Sequence, residues 1–227
     1  MAGLWRIPMG RAITIMPPDR DLLTLVQWLS PAFPVGGFAY SHGLDWVIGG
    51  TECRDARALE VWLRGVLHHG GGWNDAVALS LMLRGADPDR IAALVLALAG
   101  SAERRRETLA QGRAFSAAVG ALTDRPARDW PLPVAVGDAA RRLEVPVETM
   151  ISLYLQSFVT NLSMVATRAV PLGQNEGQRL IQALSADLPD LAARAAKADE
   201  DDFGTGAPLA DLAAMLHETQ EPRLFLT

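Results

Sequence analysis

The chain has 227 residues, 49% of them hydrophobic and 21% charged, and is therefore long enough to bury a substantial core. Its formal net charge of −5 gives no electrostatic support to a nucleic-acid-binding function. Lys197 is the only lysine, which excludes a Gly-Lys-Ser/Thr phosphate-binding loop, and Cys53 is the only cysteine, which excludes an internal disulfide and a multi-cysteine zinc site.

Residues 1–20 contain arginines and prolines without a long apolar run, so we predict a flexible N-terminal arm and not a signal or transit peptide. Met16 is an alternative translation start. The wholly apolar stretch Ile91–Ala99 is far shorter than the roughly 20 residues that a membrane helix needs. We therefore expect a cytoplasmic protein with no membrane partner, in which residues 21–227 form one helical domain.

An apolar helical segment, Leu22–Leu29, leads into a stretch rich in proline and glycine, Ser30–Asp45, here called the Pro-Gly segment. We expect Pro31 and Pro34 to end the helix, because each ring removes a backbone donor and restricts the preceding residue. The glycine pair that follows, Gly36-Gly37, allows the backbone to turn where a side chain would clash.

Bulky apolar side chains lie beside predicted helix breaks at both ends of the chain. Phe38 and Tyr40 follow the glycine pair, and Leu224 and Phe225 lie in a tail too short to form its own core. The tail has no obvious local partner, and exposed groups of this kind favour contacts with other proteins. For Phe38, packing into the core is an equally good interpretation.

Apolar residues recur at helical spacing through the rest of the chain, and no alternating strand pattern or internal repeat appears. The segment 146–168 is apolar on nearly every face, which predicts the buried centre of a bundle. The sequence thus predicts an all-α fold, a single-domain helical bundle of about ten helices. Beyond the first, the main predicted helices cover about 59–69, 74–84, 88–99, 102–122, 134–143, 146–168, 176–198 with a bend at Pro189, and 208–218.

Ser41, within Ala39-Tyr40-Ser41-His42-Gly43, resembles a degenerate nucleophile elbow. That motif requires a strand before the serine and a strained turn at it, and the chain shows no strand pattern. His217 and Asp211 would have to complete a triad. An α-helical serine hydrolase using Ser41 is therefore the weaker alternative function.

His68-His69 invites a metal interpretation, with Asp75 beyond the glycines 70–72 as a further ligand. Adjacent helical residues project about 100° apart, so histidines at the negative end of a helix dipole are the favoured interpretation. We predict no metal site and no cofactor site. The charged run Glu103–Glu107 is predicted to be a solvated helix face.

Three stretches, in the same order, resemble the urease accessory protein UreF family. The first is Phe33–Asp45, whose Pro-Val-Gly-Gly-Phe-x-Tyr-Ser-x-Gly-Leu pattern is similar to the N-terminal signature of that family. The second runs from Tyr154–Ser157 to Val170–Gln174, and the third from Ala207–Leu209 to His217–Thr219. Together they cover most of the chain from about Leu22 onward.

The resemblance implies an all-α, non-enzymatic homodimer. It implies binding to the accessory protein UreD, called UreH in some organisms, and recruitment and modulation of the GTPase UreG. It further implies that this complex acts on apo-urease and promotes nickel insertion. Asp45 and Arg168 become candidates for a surface facing UreG, and Arg223, Leu224 and Phe225 match the C-terminal motif.

The chain departs from the family pattern at both ends. Asp45 stands where the family usually has Glu, which keeps the charge and shortens its reach. In the tail, Glu221-Pro222 replaces Tyr-Ser and Leu226-Thr227 replaces Arg-Ser. Because proline fixes the backbone just before Arg223, these changes put the conformation of the tail in question.

Overall fold

The computed structural model describes residues 20–50, 53, 55–170, 172–204 and 206–226. Within these ranges the chain is helical and contains no strand, so the predicted all-α fold of about ten helices is confirmed. The arm predicted for residues 1–20 lies outside them, except for Arg20, as does Pro171. The α-helices are α1 (Arg20–Trp28), α2 (Leu44–Gly49), α3 (Ala56–His69), α4 (Gly71–Leu83), α5 (Pro88–Ala97), α6 (Ala102–Thr123), α7 (Leu132–Ala140), α8 (Val147–Ala169), α9 (Gln174–Ser185), α10 (Leu188–Ala195) and α11 (Pro208–His217), with 3₁₀ helices at Gly37–Ala39 and Glu200–Asp202.

Helix α8 is the buried centre that its composition predicts. It packs against α3, α4, α9 and α10, and contacts the first 3₁₀ helix and α2. Ile151, Leu155 and Val165 are fully buried, which explains why apolar residues are needed on several of its faces. In the part of the chain that the structure describes, no helix is both long enough and apolar enough to cross a membrane.

Side-chain caps begin three of the helices, α3, α5 and α6. Asp55 accepts the backbone N–H of Ala58 at 2.8 Å, and Ser101 accepts that of Arg104 at 3.1 Å. Asp87 caps α5 in the same way. Each such cap stabilises a helix by about 1 kcal/mol, and the cap at Ser101 fixes where the charged first turn of α6 begins.

The predicted helix boundaries lie within three residues of the observed ones, and two of the differences have a structural reason. The glycines after His69 lie at the start of α4, with Gly70 as its N-cap and Gly71 and Gly72 in its first turn. A Cβ on Gly72 would lie only 2.8 Å from the Cα of Leu67 in α3. They allow two helices to approach closely and are not simply a flexible connection. The predicted helix 176–198 is two helices, α9 and α10, with Pro189 in the first turn of α10, where a missing N–H is tolerated.

Candidate functional site

The Pro-Gly segment crosses the bundle from α1 to α2 through three left-handed residues. Gly36, His42 and Gly43 have φ values of 72°, 55° and 76°. At Gly43 a Cβ would also lie 2.7 Å from the backbone nitrogen of Ala214 in α11. Glycine is required there both for the backbone angle and for the close approach of the last helix.

A buried polar network joins this segment to α6 and α11. The ring of His217 lies between two carboxylates, with Nδ1 2.6 Å from Oε2 of Glu103 and Nε2 3.2 Å from Oδ2 of Asp45. All three residues are buried, at 3% exposure or less. Together with Arg223 they form what we call the tail network.

Arg223 brings the C-terminal tail onto this network. Its guanidinium donates to Oε1 of Glu103 at 2.7 Å and to the backbone carbonyls of Gln220 and Glu218. A buried carboxylate without a cation is strongly unfavourable, so this ion pair stabilises the docked tail. The Glu221-Pro222 departure from the family pattern therefore still leaves Arg223 in place to pair with Glu103.

The tail backbone is held as well. Oδ2 of Asp45 accepts the N–H groups of Leu224 at 2.8 Å and Phe225 at 3.1 Å. The N–H of Leu226 donates to the carbonyl of Ala39 at 2.7 Å. The expectation that the tail has no local partner is therefore wrong, because the Pro-Gly segment binds its backbone directly.

The tail and α11 nevertheless present several apolar side chains to solvent. Phe225 is half-buried and packs against the core, but Leu224 and Leu226 are 68% and 62% exposed. On α11, Leu209, Leu212 and Met215 are also exposed. We call these five exposed side chains the α11-tail residues.

The other predicted contact residues divide between surface and interior. Arg168 is exposed, donates to the carbonyl of Phe38 at 3.2 Å and lies 5.3 Å from the centre of its ring. Phe38 and Tyr40 are half-buried. Asp45 is buried inside the tail network, so the structure places it where it orders the tail and not where it could face a partner.

A second group, the central cluster, comprises buried Asp75, Glu107 and Tyr154 with partly buried His42 and Arg104. The Tyr154 hydroxyl donates to Asp75 at 2.7 Å, and Arg104 forms a close ion pair with Glu107. Nε2 of His42 lies 2.9 Å from both Arg104 and Glu107. Two cavities of about 60 Å³ each are lined in part by His42, Asp75 and Arg104.

The central cluster separates the pKa values of its two carboxyl groups. Burial acts to raise the pKa of Glu107, but Arg104 and His42 outweigh it and lower that pKa to about 2. Burial raises the pKa of Asp75 to about 6, against the opposing effects of Arg104 and the Tyr154 hydrogen bond. Burial and then Arg104 lower the pKa of His42, which favours the neutral ring.

The two networks overturn the prediction that Glu103–Glu107 is a solvated face, since Glu103, Arg104 and Glu107 are all turned into the protein. A sequence signal for this exists. Residues four apart on a helix lie on the same face, and one such face of α6 carries Glu103, Glu107, Gln111 and Phe115, all of them buried. The three polar residues therefore lie on the same core-facing side of the helix as Phe115.

The serine hydrolase alternative is not supported by this geometry. Ser41 is fully buried, and its hydroxyl accepts the backbone N–H of Asp45 at 3.2 Å. Both ring nitrogens of His217 already face carboxylates. The described part of the chain also has no strand on which to build a nucleophile elbow.

The side chains considered as metal ligands, His68, His69 and Asp75, do not converge on one point either. Nε2 of His68 lies 2.7 Å from Asp187, which Arg64 also contacts, whereas Asp75 belongs to the central cluster. Among the described residues, no group of three or more His, Cys, Asp or Glu side chains is arranged to hold a metal ion.

Comparison with known proteins agrees with the motifs in the sequence. The family model UreF matches residues 53–185. The urease accessory protein UreF of Cereibacter sphaeroides strain KD131 is 53% identical over 206 residues, which are 91% of this chain and 98% of that protein. Those of Jannaschia sp. strain CCS1 and Ruegeria pomeroyi are 46% and 41% identical, over 91% and 93% of this chain and 94% and 99% of the relatives. The chain therefore belongs to the UreF family of urease accessory proteins.

Proposed function

We propose that this protein is a non-enzymatic scaffold in urease maturation. In this proposal it forms a homodimer, binds UreD or its counterpart UreH, and recruits and modulates the GTPase UreG. The resulting complex acts on apo-urease and promotes nickel insertion. Family membership supports the general role, and the docked C-terminal tail is the observation that best supports a binding function.

The tail supports the proposal because its backbone and its side chains have different environments. Asp45 and Ala39 hold the backbone, while Leu224 and Leu226 stay exposed. Fixing the backbone of one residue costs about 1–2 kcal/mol of conformational entropy, and a tail whose backbone is already held avoids that cost on binding. We assign the α11-tail residues to UreD.

The middle of the Pro-Gly segment, around the 3₁₀ helix Gly37–Ala39, is our candidate for contact with UreG. Arg168 is exposed and holds Phe38 through a hydrogen bond and a cation–π contact, and Tyr40 follows two residues later. An aromatic and arginine pair of this kind is typical of residues that dominate binding energies. Asp45 acts here by positioning the tail, and Arg223 by neutralising Glu103.

The test is the double variant Leu224→Ser/Leu226→Ser, measured by quantitative pull-down with UreD. Both side chains are exposed, so we expect an unchanged melting temperature and at least tenfold weaker binding. Deleting the tail is a poorer test, because it would also remove Arg223, the closer of two arginines that pair with buried Glu103. Leu122→Ser, at a leucine that is 59% exposed at the end of α6, is the matched control.

Full-strength UreD binding by the double variant would contradict the assignment of the tail. So would an equal loss in Leu122→Ser, because the effect would then follow from any exposed leucine. Adding UreG and GTP to the retained complex tests recruitment separately, and failure to recover UreG with the wild-type complex would contradict the scaffold role.

A further inference from the structure

The loop between α6 and α7 is folded back onto α6 and carries two arginines. Asp124 ends α6 in the left-handed conformation, with φ 53°, and the N–H of Arg125 returns to the carbonyl of Gly120 at 3.2 Å. The N–H of Arg128 donates to Oγ of Ser116 at 2.8 Å. These bonds fix the loop backbone and therefore the positions of the Cα atoms from which the two arginine side chains extend.

A surface cavity of about 350 Å³ lies between this loop and the C-terminal end of α7. Its lining includes four arginines, one carboxylate and one indole. The protein as a whole has a net charge of −5, so four positive charges against one negative charge make this cavity a local exception. We call it the arginine cavity; the residues that define it are Arg125, Arg128, Arg141, Arg142, Asp138 and Trp130.

Asp138 orients two of the arginines. It is buried, at 7% exposure, and pairs with Arg125 through one oxygen and with Arg141 through the other, the latter at 2.7 Å. One cation is enough to neutralise one carboxylate. The second cation therefore leaves the cavity positive even when its only acidic side chain is fully paired.

The other two arginines have no carboxylate partner. The guanidinium of Arg128 lies 5.7 Å from the centre of the Trp130 ring, and Arg142 makes no hydrogen bond or ion pair within the described ranges. Asp89 accepts the indole N–H of Trp130 at 2.8 Å but does not line the cavity. Arg141 and Arg142 lie at the C-terminal end of α7, where the negative end of the helix dipole favours cations. Arg125 and Arg128 in the loop have no such explanation.

We propose that the arginine cavity binds a ligand that carries phosphoryl groups. Guanidinium groups match phosphate oxygens with paired donors, and a cluster of them favours a multiply charged anion. The volume of about 350 Å³ is at the lower end of the range for small-molecule sites and exceeds the needs of a single small ion. Inorganic pyrophosphate and a nucleoside diphosphate share this chemistry, and the Trp130 ring offers a stacking surface for a base.

The experiment is calorimetric titration of the full-length protein with pyrophosphate at low ionic strength. We expect saturable binding that weakens as salt is added. Arg128→Gln/Arg142→Gln should weaken it at least tenfold. Arg106→Gln/Arg179→Gln removes the same charge from exposed arginines that do not line the cavity, and should change the affinity less than twofold.

Absence of saturable pyrophosphate binding to the wild-type protein would overturn the proposal, whatever the variants do. An equal loss in both double variants would also overturn it, because the effect would then be one of net charge alone. A parallel titration with GDP distinguishes the two sources of phosphoryl groups. Tighter binding of GDP than of pyrophosphate supports a nucleotide site, and similar or weaker binding supports a free anion.

Discussion

Replacing Asp75 by asparagine should stabilise the protein at neutral pH, although it removes a charge beside an arginine. The fold raises the pKa of Asp75 from 3.8 to about 6, chiefly through burial. At about 1.4 kcal/mol per pKa unit, the ionised carboxylate destabilises the native state by up to about 3 kcal/mol. Asparagine has no such charge and can still accept the hydrogen bond from Tyr154.

The direction of the expected pH dependence follows from proton binding by Asp75. Between pH 3.8 and about 6 the native state holds the Asp75 proton more tightly than the unfolded chain does, so stability from this group falls as the pH rises. The unfavourable effect is fully present above about pH 6 and absent below about pH 4. We therefore expect Asp75→Asn to raise the free energy of unfolding by about 1–3 kcal/mol at pH 7, with a gain that shrinks towards pH 4.5.

The assay is urea unfolding followed by circular dichroism from pH 4.5 to 8, with the difference between wild type and variant as the readout. His42 and Glu107 titrate in both proteins, so most of their contribution cancels. Asp129→Asn is the matched control, since that side chain is 72% exposed and should change stability by less than about 0.5 kcal/mol. Destabilisation of Asp75→Asn at pH 7 would refute the reasoning, because attraction to Arg104 would then outweigh desolvation.

Two further predictions concern association and metal binding. Tyr40→Ala should weaken self-association or assembly of the accessory complex at least tenfold in analytical ultracentrifugation. The circular dichroism spectrum and melting temperature of the monomer should stay near wild type. A much lower melting temperature with unchanged association would identify Tyr40 as a core residue. The isolated, untagged protein should not bind nickel tightly at a ratio of one ion per chain in calorimetry at neutral pH. His68 pairs with Asp187, and no ligand cluster forms among the described residues. One nickel per chain with sub-micromolar affinity would contradict this prediction.

The helices could be predicted because their signals are local. Helix α8 is apolar on nearly every face over 23 residues, and a helix of that kind has few stable places other than the centre of a bundle. The left-handed turns of the Pro-Gly segment follow from Gly36 and Gly43 in the same way. His42 adopts the same conformation without a sequence signal that distinguishes it.

The buried networks could not be predicted because their members are far apart in the chain. Asp45 and Leu224 are 179 positions apart, and no spacing rule relates them. A charged residue is normally exposed, so the sequence alone predicts a solvated face for Glu103 and Glu107. Their four-residue spacing from Phe115 indicates burial, but only their partners explain how the burial is tolerated.

The tail network also makes one buried carboxylate depend on residues that are synthesised much later. Glu103 lies in α6, whereas the histidine and arginine that face it, His217 and Arg223, lie 114 and 120 positions further along the chain. Synthesis proceeds from the N-terminus, so α6 leaves the ribosome before either partner exists. The burial of Glu103 is therefore completed only when the tail docks, which couples the final packing of α6 to the display of the tail leucines.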